Sequence, residues 1–363
     1  MQGYLIVFTV TLLAAALLVI TQRWHGHLSM DGTSGVQKFH IHPTPRIGGL
    51  AIACGLLAAY TQTSALVREI LAPMLIAGIP AFGAGLLEDI TKRVGVKPRL
   101  LATMFSGVVA WYLTGVVMNK TGIAPIDWML SFTPIAVLFT AFAVGGVANA
   151  INIIDGFNGL ATGAVAIMLF GMGLIAVQVG DGTLASVCFL LAAVILGFWA
   201  INWPMGNIFL GDGGAYLVGF MLAWIAVLLP MRNPSVTAWA TLLVCAYPVL
   251  EVFFSFIRKS KRAGHHPGHP DKVHLHMLMY RRISRKLFPN ANRALQNGLT
   301  SPFAWIYTLI PVGWAVVSYD QELVLAIGLL VAMLTYWALY MRLTQFRWCF
   351  TSLTVSKKHL SAA

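Results

Sequence analysis

Charge is what this sequence has least of. Only 10% of its 363 residues are Asp, Glu, Lys or Arg, against about 25% in an ordinary soluble domain. With 58% hydrophobic residues, a water-soluble globule of this size is excluded, because too few charges remain to hydrate its surface. Cysteine is also sparse. Cys54, Cys188 and Cys245 lie inside apolar runs, and with Cys349 they form no Cys-x-x-Cys pair, which argues against a disulfide framework or a zinc site. No basic region precedes the first apolar run, Tyr4 to Thr21, and no clear small-residue cleavage site follows it. That run reads as a retained span, not a removed signal. Low-complexity linkers, fixed-period repeats and a soluble domain are all missing, so residues 1–363 read as one domain.

What the chain does have is long apolar runs. Eleven candidates fall at about 4–21, 47–61, 70–87, 100–118, 129–148, 160–179, 184–201, 215–231, 237–257, 302–319 and 323–341. Backbone groups in lipid must be satisfied within the segment, so the runs predict helices. The expected fold is an all-α polytopic membrane protein of about eleven spans. Its net charge of +12 could suggest nucleic acid, but the positive residues sit in short segments between apolar runs, as membrane topology requires.

Those positive residues orient the chain. Connections after odd-numbered spans, together with the C-terminal tail, hold 21 of the 24 Lys and Arg; the other face has only Arg68, Lys120 and Arg232. The positive-inside rule therefore places the N-terminus outside and the C-terminus in the cytoplasm.

The same cytoplasmic connections, about 22–46, 88–99, 149–159, 202–214 and 258–301, collect the unusual polar sequence. The first holds Lys38, His40, His42 and Pro43-Thr44-Pro45-Arg46-Ile47-Gly48-Gly49. The second has Glu88-Asp89, then Lys97-Pro98-Arg99. The third has Asn149, Asn152, Asp155-Gly156 and Asn158-Gly159. The fourth is Gly211-Asp212-Gly213-Gly214. The fifth holds Pro270-Asp271-Lys272, His274, His276 and Arg282. Each alone has a plain reading: solvated charge, a helix cap, a turn. Together on one face they describe a site.

Phosphoryl transfer between two anions fits it. One pair of like charges ~4 Å apart costs roughly 4 kcal/mol at an effective dielectric near 20, so four pairs cost about 16. A hard cation held by carboxylate and amide oxygens offsets such repulsion. Asp89, Asn152, Asp155 and Asp212 are hard oxygen donors. Lys38, Arg46, Lys97, Arg99, the histidines and Arg282 supply positive charge for a pyrophosphate.

In those five motifs the chain resembles the polyprenyl-phosphate N-acetylhexosamine-1-phosphate transferases of glycosyl transferase family 4. The likeness is to the branch that starts O-antigen and enterobacterial common antigen synthesis. Phospho-MurNAc-pentapeptide translocase is a more distant relative. The resemblance implies a UDP-sugar donor, an undecaprenyl phosphate acceptor in the membrane lipid, UMP as product, and Mg²⁺ (or Mn²⁺) as cofactor. By position it makes Glu88, Asp89, Asp155 and Asp212 catalytic, with Asp212 and Asn152 on the metal. Asn149, Asp155 and Asn158 then meet nucleotide and pyrophosphate, and His274 and His276 lie near the sugar phosphate. Three positions depart from the family pattern: Glu88 and Asn158 each stand where Asp is usual, and Met277 where a further His is frequent. A translocase-like step of peptidoglycan synthesis stays open, as does a transporter using Glu251 as a coupling acid. Glu251 is expected about 9 Å inside its span, paired with a nearby Arg or Lys. Nucleic acid is not an expected partner. A homodimer is left open.

Overall fold

The computed structural model describes residues 2–31, 43–260 and 273–345. It is helical almost throughout. The helices are α1 (Gln2–Ile20), α2 (Gln22–Ser29), α3 (Gly48–Thr61), α4 (Ala65–Thr91), α5 (Val96–Thr114), α6 (Ala124–Leu130), α7 (Thr133–Ile154), α8 (Leu160–Gln178), α9 (Gly182–Asn202) and α10 (Gly211–Arg232). There follow α11 (Ala238–Val244), α12 (Ala246–Ser260), α13 (Leu275–Met279), a π-helical turn Tyr280–Ser284, α14 (Arg285–Leu287), α15 (Arg293–Gly298), α16 (Ser301–Val317) and α17 (Glu322–Thr344). Among the described residues the only strands are β1 (Met30–Asp31) and β2 (Thr44–Pro45), an antiparallel pair with Met30 opposite Pro45.

Each of the eleven apolar runs contains helix, although the run at 100–118 leaves it after Thr114 and the run at 129–148 is interrupted between Leu130 and Thr133. Eight helices among the described residues are long and apolar enough to cross a membrane, and the bent pair α11 and α12 makes a ninth. Two expected spans fall outside that group. Helix α3 has only 14 residues, and α5 opens with Lys97 and Arg99. Many apolar side chains face outward, for example Leu5, Leu13 and Leu17 on α1 and Leu323, Leu334 and Trp337 on α17. Water does not tolerate so large an apolar surface, whereas lipid does. The chain is a multi-pass membrane protein.

Helix α10 is the hub. It is apolar round its whole circumference, as a fully enclosed helix must be. It is buried from Gly211 to Ile225 and packs against α3, α4, α5, α7 and α8. Small residues let neighbours approach closely: a Cβ added at Gly219 would lie 2.7 Å from Ala148 Cα on α7. The run expected at 237–257 is broken at Cys245, where α11 and α12 meet at 77°. That bend brings Glu251 of α12 against α13.

Candidate functional site

The site is built where α10 begins. Backbone bonds set its register: the Gly48 and Gly49 N–H groups donate to the carbonyls of Phe209 and Leu210, both at 3.0 Å, and Phe209 N–H donates to Pro45 at 2.8 Å. This lays the Arg46 segment alongside the first turn of α10. Gly211 starts that turn at φ +75°, in the left-handed region where a Cβ is strained. At Gly85 of α4, a Cβ would come within 2.6 Å of the Asp212 carbonyl. Only glycine lets α4 lie this close.

Asp89, on the last turn of α4, is 1% exposed. Its Oδ1 accepts the Asp212 N–H and its Oδ2 the Gly213 N–H, each at 2.8 Å. A carboxylate thus neutralises the positive end of α10 and satisfies two of its free N–H donors. Arg46 bridges the acids, with Nε 3.1 Å from Asp89 Oδ1 and Nη2 2.6 Å from Asp212 Oδ1. Its Nη1 lies 3.9 Å from Asp31. Arg99, from the first turn of α5, pairs with Asp212 Oδ2, and its guanidinium sits 5.8 Å from the Tyr216 ring centroid. Asn152, near the end of α7, donates to Asp212 Oδ1 at 3.1 Å. Asn149, one turn earlier, accepts from the Tyr216 hydroxyl at 3.2 Å. Ends of α3, α4, α5, α7 and α10 therefore converge on one carboxylate, Asp212.

Other expected residues take separate positions. Glu88 is part-exposed, and its Oε2 accepts the Val94 N–H at 2.7 Å, closing the α4–α5 turn. Asp155 follows α7 directly. Part of its surface reaches solvent, yet it is closely packed round. Lost hydration pushes its carboxyl up to about 7 against the opposing pull of Arg46. Asn158 is buried, and its side chain donates to the carbonyls of Pro204 and, more weakly, Ala294 at 2.9 and 3.4 Å. Its own N–H donates to Asn297 at 2.8 Å. Asn158 thus pins the 155–159 loop to the segments after α9 and around α15. Lys97 is exposed and Arg282 part-exposed. Lys38, His40, His42, Asp271 and Lys272 lie outside the described residues.

His274 and His276 form a second group with Glu251. His274 Nδ1 lies 2.8 Å from Glu251 Oε1, which also accepts the Leu275 N–H at 3.1 Å. Burial pushes the His276 imidazole down to about 4. The partner of Glu251 is thus a histidine segment where the sequence suggested Arg or Lys, because the bend at Cys245 turns Glu251 toward α13. Asp31, Tyr216 and Glu251 were not singled out for these roles by sequence. Tyr216 was legible in principle: it stands four residues after Asp212, on the same face of α10.

A divalent cation can be tested against these donors. Among the described residues no three His, Cys, Asp or Glu side chains cluster to cage an ion. Asp212, with Asn152 beside it, offers hard oxygens at a helix end, and no thiolate is near. Mg²⁺ suits such a set, since it is commonly held by one or two carboxylates with substrate phosphates and waters completing the octahedron. The residues fit an ion that arrives with its substrate.

Comparison with known proteins gives a family. The model for glycosyl transferase family 4 matches residues 71–230, from α4 to the end of α10. The chain belongs to that family, as the five motifs had suggested. Among its relatives it is 34% identical to decaprenyl-phosphate N-acetylglucosaminephosphotransferase of Mycobacterium leprae, over 65% of this chain and 66% of that protein. It is 26% identical to undecaprenyl-phosphate alpha-N-acetylglucosaminyl 1-phosphate transferase of Yersinia pestis, over 74% of each. A Mycobacterium tuberculosis decaprenyl-phosphate N-acetylglucosaminephosphotransferase is 31% identical, over 65% of each chain. The matched region thus spans about two thirds to three quarters of these relatives.

Proposed function

We propose that this protein transfers an N-acetylhexosamine 1-phosphate from a UDP-sugar to a polyprenyl phosphate, releasing UMP. Undecaprenyl phosphate is the acceptor assigned, as in the Yersinia pestis relative's name, and N-acetylglucosamine is the first sugar to test. In this reaction an oxygen of the lipid phosphate forms a new bond to the sugar-bearing phosphorus, and that phosphorus loses its bond to the UMP oxygen. The carrying observation is the convergence of Arg46, Arg99 and Asn152 on Asp212 at the start of α10.

Arg46 and Arg99 present fixed guanidinium groups suited to bidentate phosphate binding. Before substrate arrives they neutralise Asp212, and a pyrophosphate can compete for them. Asp212 and Asn152 would hold Mg²⁺, which when bound offsets the repulsion between the two substrates. Asp89 holds Asp212 in place through the backbone of α10, while Glu88 stands nearer solvent to assist the lipid phosphate. Asp155 and Asn149 line the donor side.

The orientation assigned to the chain is eleven spans in a bacterial inner membrane, with the N-terminus outside and the site in the cytoplasm. Support comes from the 21-to-3 division of Lys and Arg. The step served would be the first membrane step of O-antigen or another envelope polysaccharide. Incubating membranes carrying the protein with a panel of UDP-sugars and undecaprenyl phosphate tests the function. UMP and a lipid-diphosphate sugar should appear together with one donor, and failure with every donor overturns the proposal.

A further inference from the structure

Away from the Asp212 centre lies a buried polar group with no place in the proposed chemistry. Glu251 and His276 are both 0% exposed. Glu251 Oε2 and both ring nitrogens of His276 are buried without a hydrogen-bond partner, and Oε2 faces His276 Nδ1 across 3.8 Å. Through Oε1 the same carboxylate takes His274 Nδ1 and the first N–H of α13. The two imidazoles lie parallel, 5.3 Å apart with 7° between their planes. Beyond them, His276 packs edge-on to Phe157 at 5.7 Å, and a Cβ at Gly156 would lie 3.2 Å from its Nε2. Contact therefore runs from Glu251 on α12, through both histidines, to the loop that carries Asp155.

A buried carboxylate with one oxygen left without a hydrogen bond is costly, so stability alone does not account for Glu251; an apolar residue would pack more cheaply. We infer that Glu251 is a positioning residue: it fixes the two histidine rings, which brace the 155–159 loop and so place Asp155 on the donor side of the site. The deduction rests on the donor role proposed above for Asp155. Fully enclosed, His276 acts as a strut behind that loop. Both histidines turn Nδ1 toward the carboxylate, so the donor tautomer at Nδ1 is the one Glu251 favours. None of these contacts involves Arg46, Arg99 or Asp212. Disturbing Glu251 should therefore move the donor side and spare the acceptor side.

Two variants separate this from a general loss of fold. Glu251→Leu removes every acceptor. Glu251→Gln keeps one for His274 and Leu275 and loses the charge. KM for the UDP-sugar should rise about ten- to a hundred-fold in Glu251→Leu, as a displaced donor contact weakens substrate binding. KM for undecaprenyl phosphate should change by less than about two-fold, and Glu251→Gln should restore most of the donor affinity. Hydrogen exchange of the substrate-free protein supplies the second reading: amides 156–160 should exchange faster in Glu251→Leu, with those of α10 unchanged. Equal rises in both KM values, or unaltered exchange at 156–160, overturn the inference. If Glu251→Leu does not fold, the same two measurements on Glu251→Gln decide, with a smaller effect of the same pattern expected. Should the unaltered protein release no UMP while exchange at 156–160 still quickens, the transferase reading fails and the bracing role stands.

Discussion

Asp89 holds Asp212 by its backbone, 123 residues along the chain, with a carboxylate oxygen 2.8 Å from the Asp212 amide nitrogen. Its other oxygen takes the next amide, that of Gly213, at the same distance. An acid expected from sequence to act on substrate is thus engaged in anchoring the helix that carries a second one.

That geometry predicts a stability effect. Asp89→Asn leaves one acceptor oxygen for two N–H donors and removes the charge facing Arg46. Hydrogen bonds to charged groups contribute about 1.5–3 kcal/mol each, so unfolding in detergent should be easier by an amount of that order. A melting temperature equal to that of the unaltered protein would show that the anchor is dispensable.

Turnover should separate Asp212 from Glu88. Asp212→Asn weakens the carboxylate on which two arginines and the proposed ion converge, and activity should vanish. Glu88→Asp should cost only about one to two powers of ten, because the lipid phosphate, with a second pKa around 6, is already largely ionised near neutrality. Both are measured at saturating Mg²⁺, with monodispersity in detergent checking the fold. A dead Glu88→Asp beside an active Asp212→Asn would reverse the two assignments.

Asp155 should make stability depend on pH. Its carboxyl is raised from 3.8 to about 7 in the folded protein, so between those values the native state holds a proton that the unfolded chain has released. Stability from this residue therefore falls as pH rises from about 4 to about 7, and the full penalty remains above 7. Asp155→Asn should melt higher than the unaltered protein at pH 8 and show no such advantage at pH 4. Thermal melts of the ligand-free protein across that range provide the comparison; a difference independent of pH would contradict the burial argument.

Metal dependence is the expectation that the proposed donor set carries. Chelation should abolish UMP release, and Mg²⁺ or Mn²⁺ should restore it better than softer ions, since the oxygens of Asp212 and Asn152 are hard ligands. Full activity after exhaustive chelation would remove the ion from the reading.

Much of this was legible in the sequence. Helices such as α1, α4, α8 and α17 follow from apolar runs whose backbones have no other way to satisfy themselves in lipid. Four of the five polar motifs, those holding Arg46, Asp89 with Arg99, Asn152 and Asp212, meet at one centre, while the histidines of the fifth pack on Glu251. What escaped was pairing across sequence distance. Nothing local to Arg46 says that its guanidinium meets Asp212, 166 positions on, and nothing local to Asn158 says that it ties loops together. The break at Cys245 was hidden because the run from 237 to 257 is apolar on both sides of it. Once the bend is known, the link between Glu251 and His274 follows.

The enclosed α10 also bears on how the protein lives in membranes of different thickness. A bilayer that is too thick or too thin acts on lipid-facing helices by tilting them, and here those are rim elements such as α1 and α17, whose apolar windows are only 17% and 22% buried. Helix α10 has 94% of its window buried and touches almost no lipid. The rim can lean to match the bilayer while the hub keeps its length and angle, so Asp212, at the start of α10, is set apart from the tilt that changes in lipid composition impose on α1 and α17.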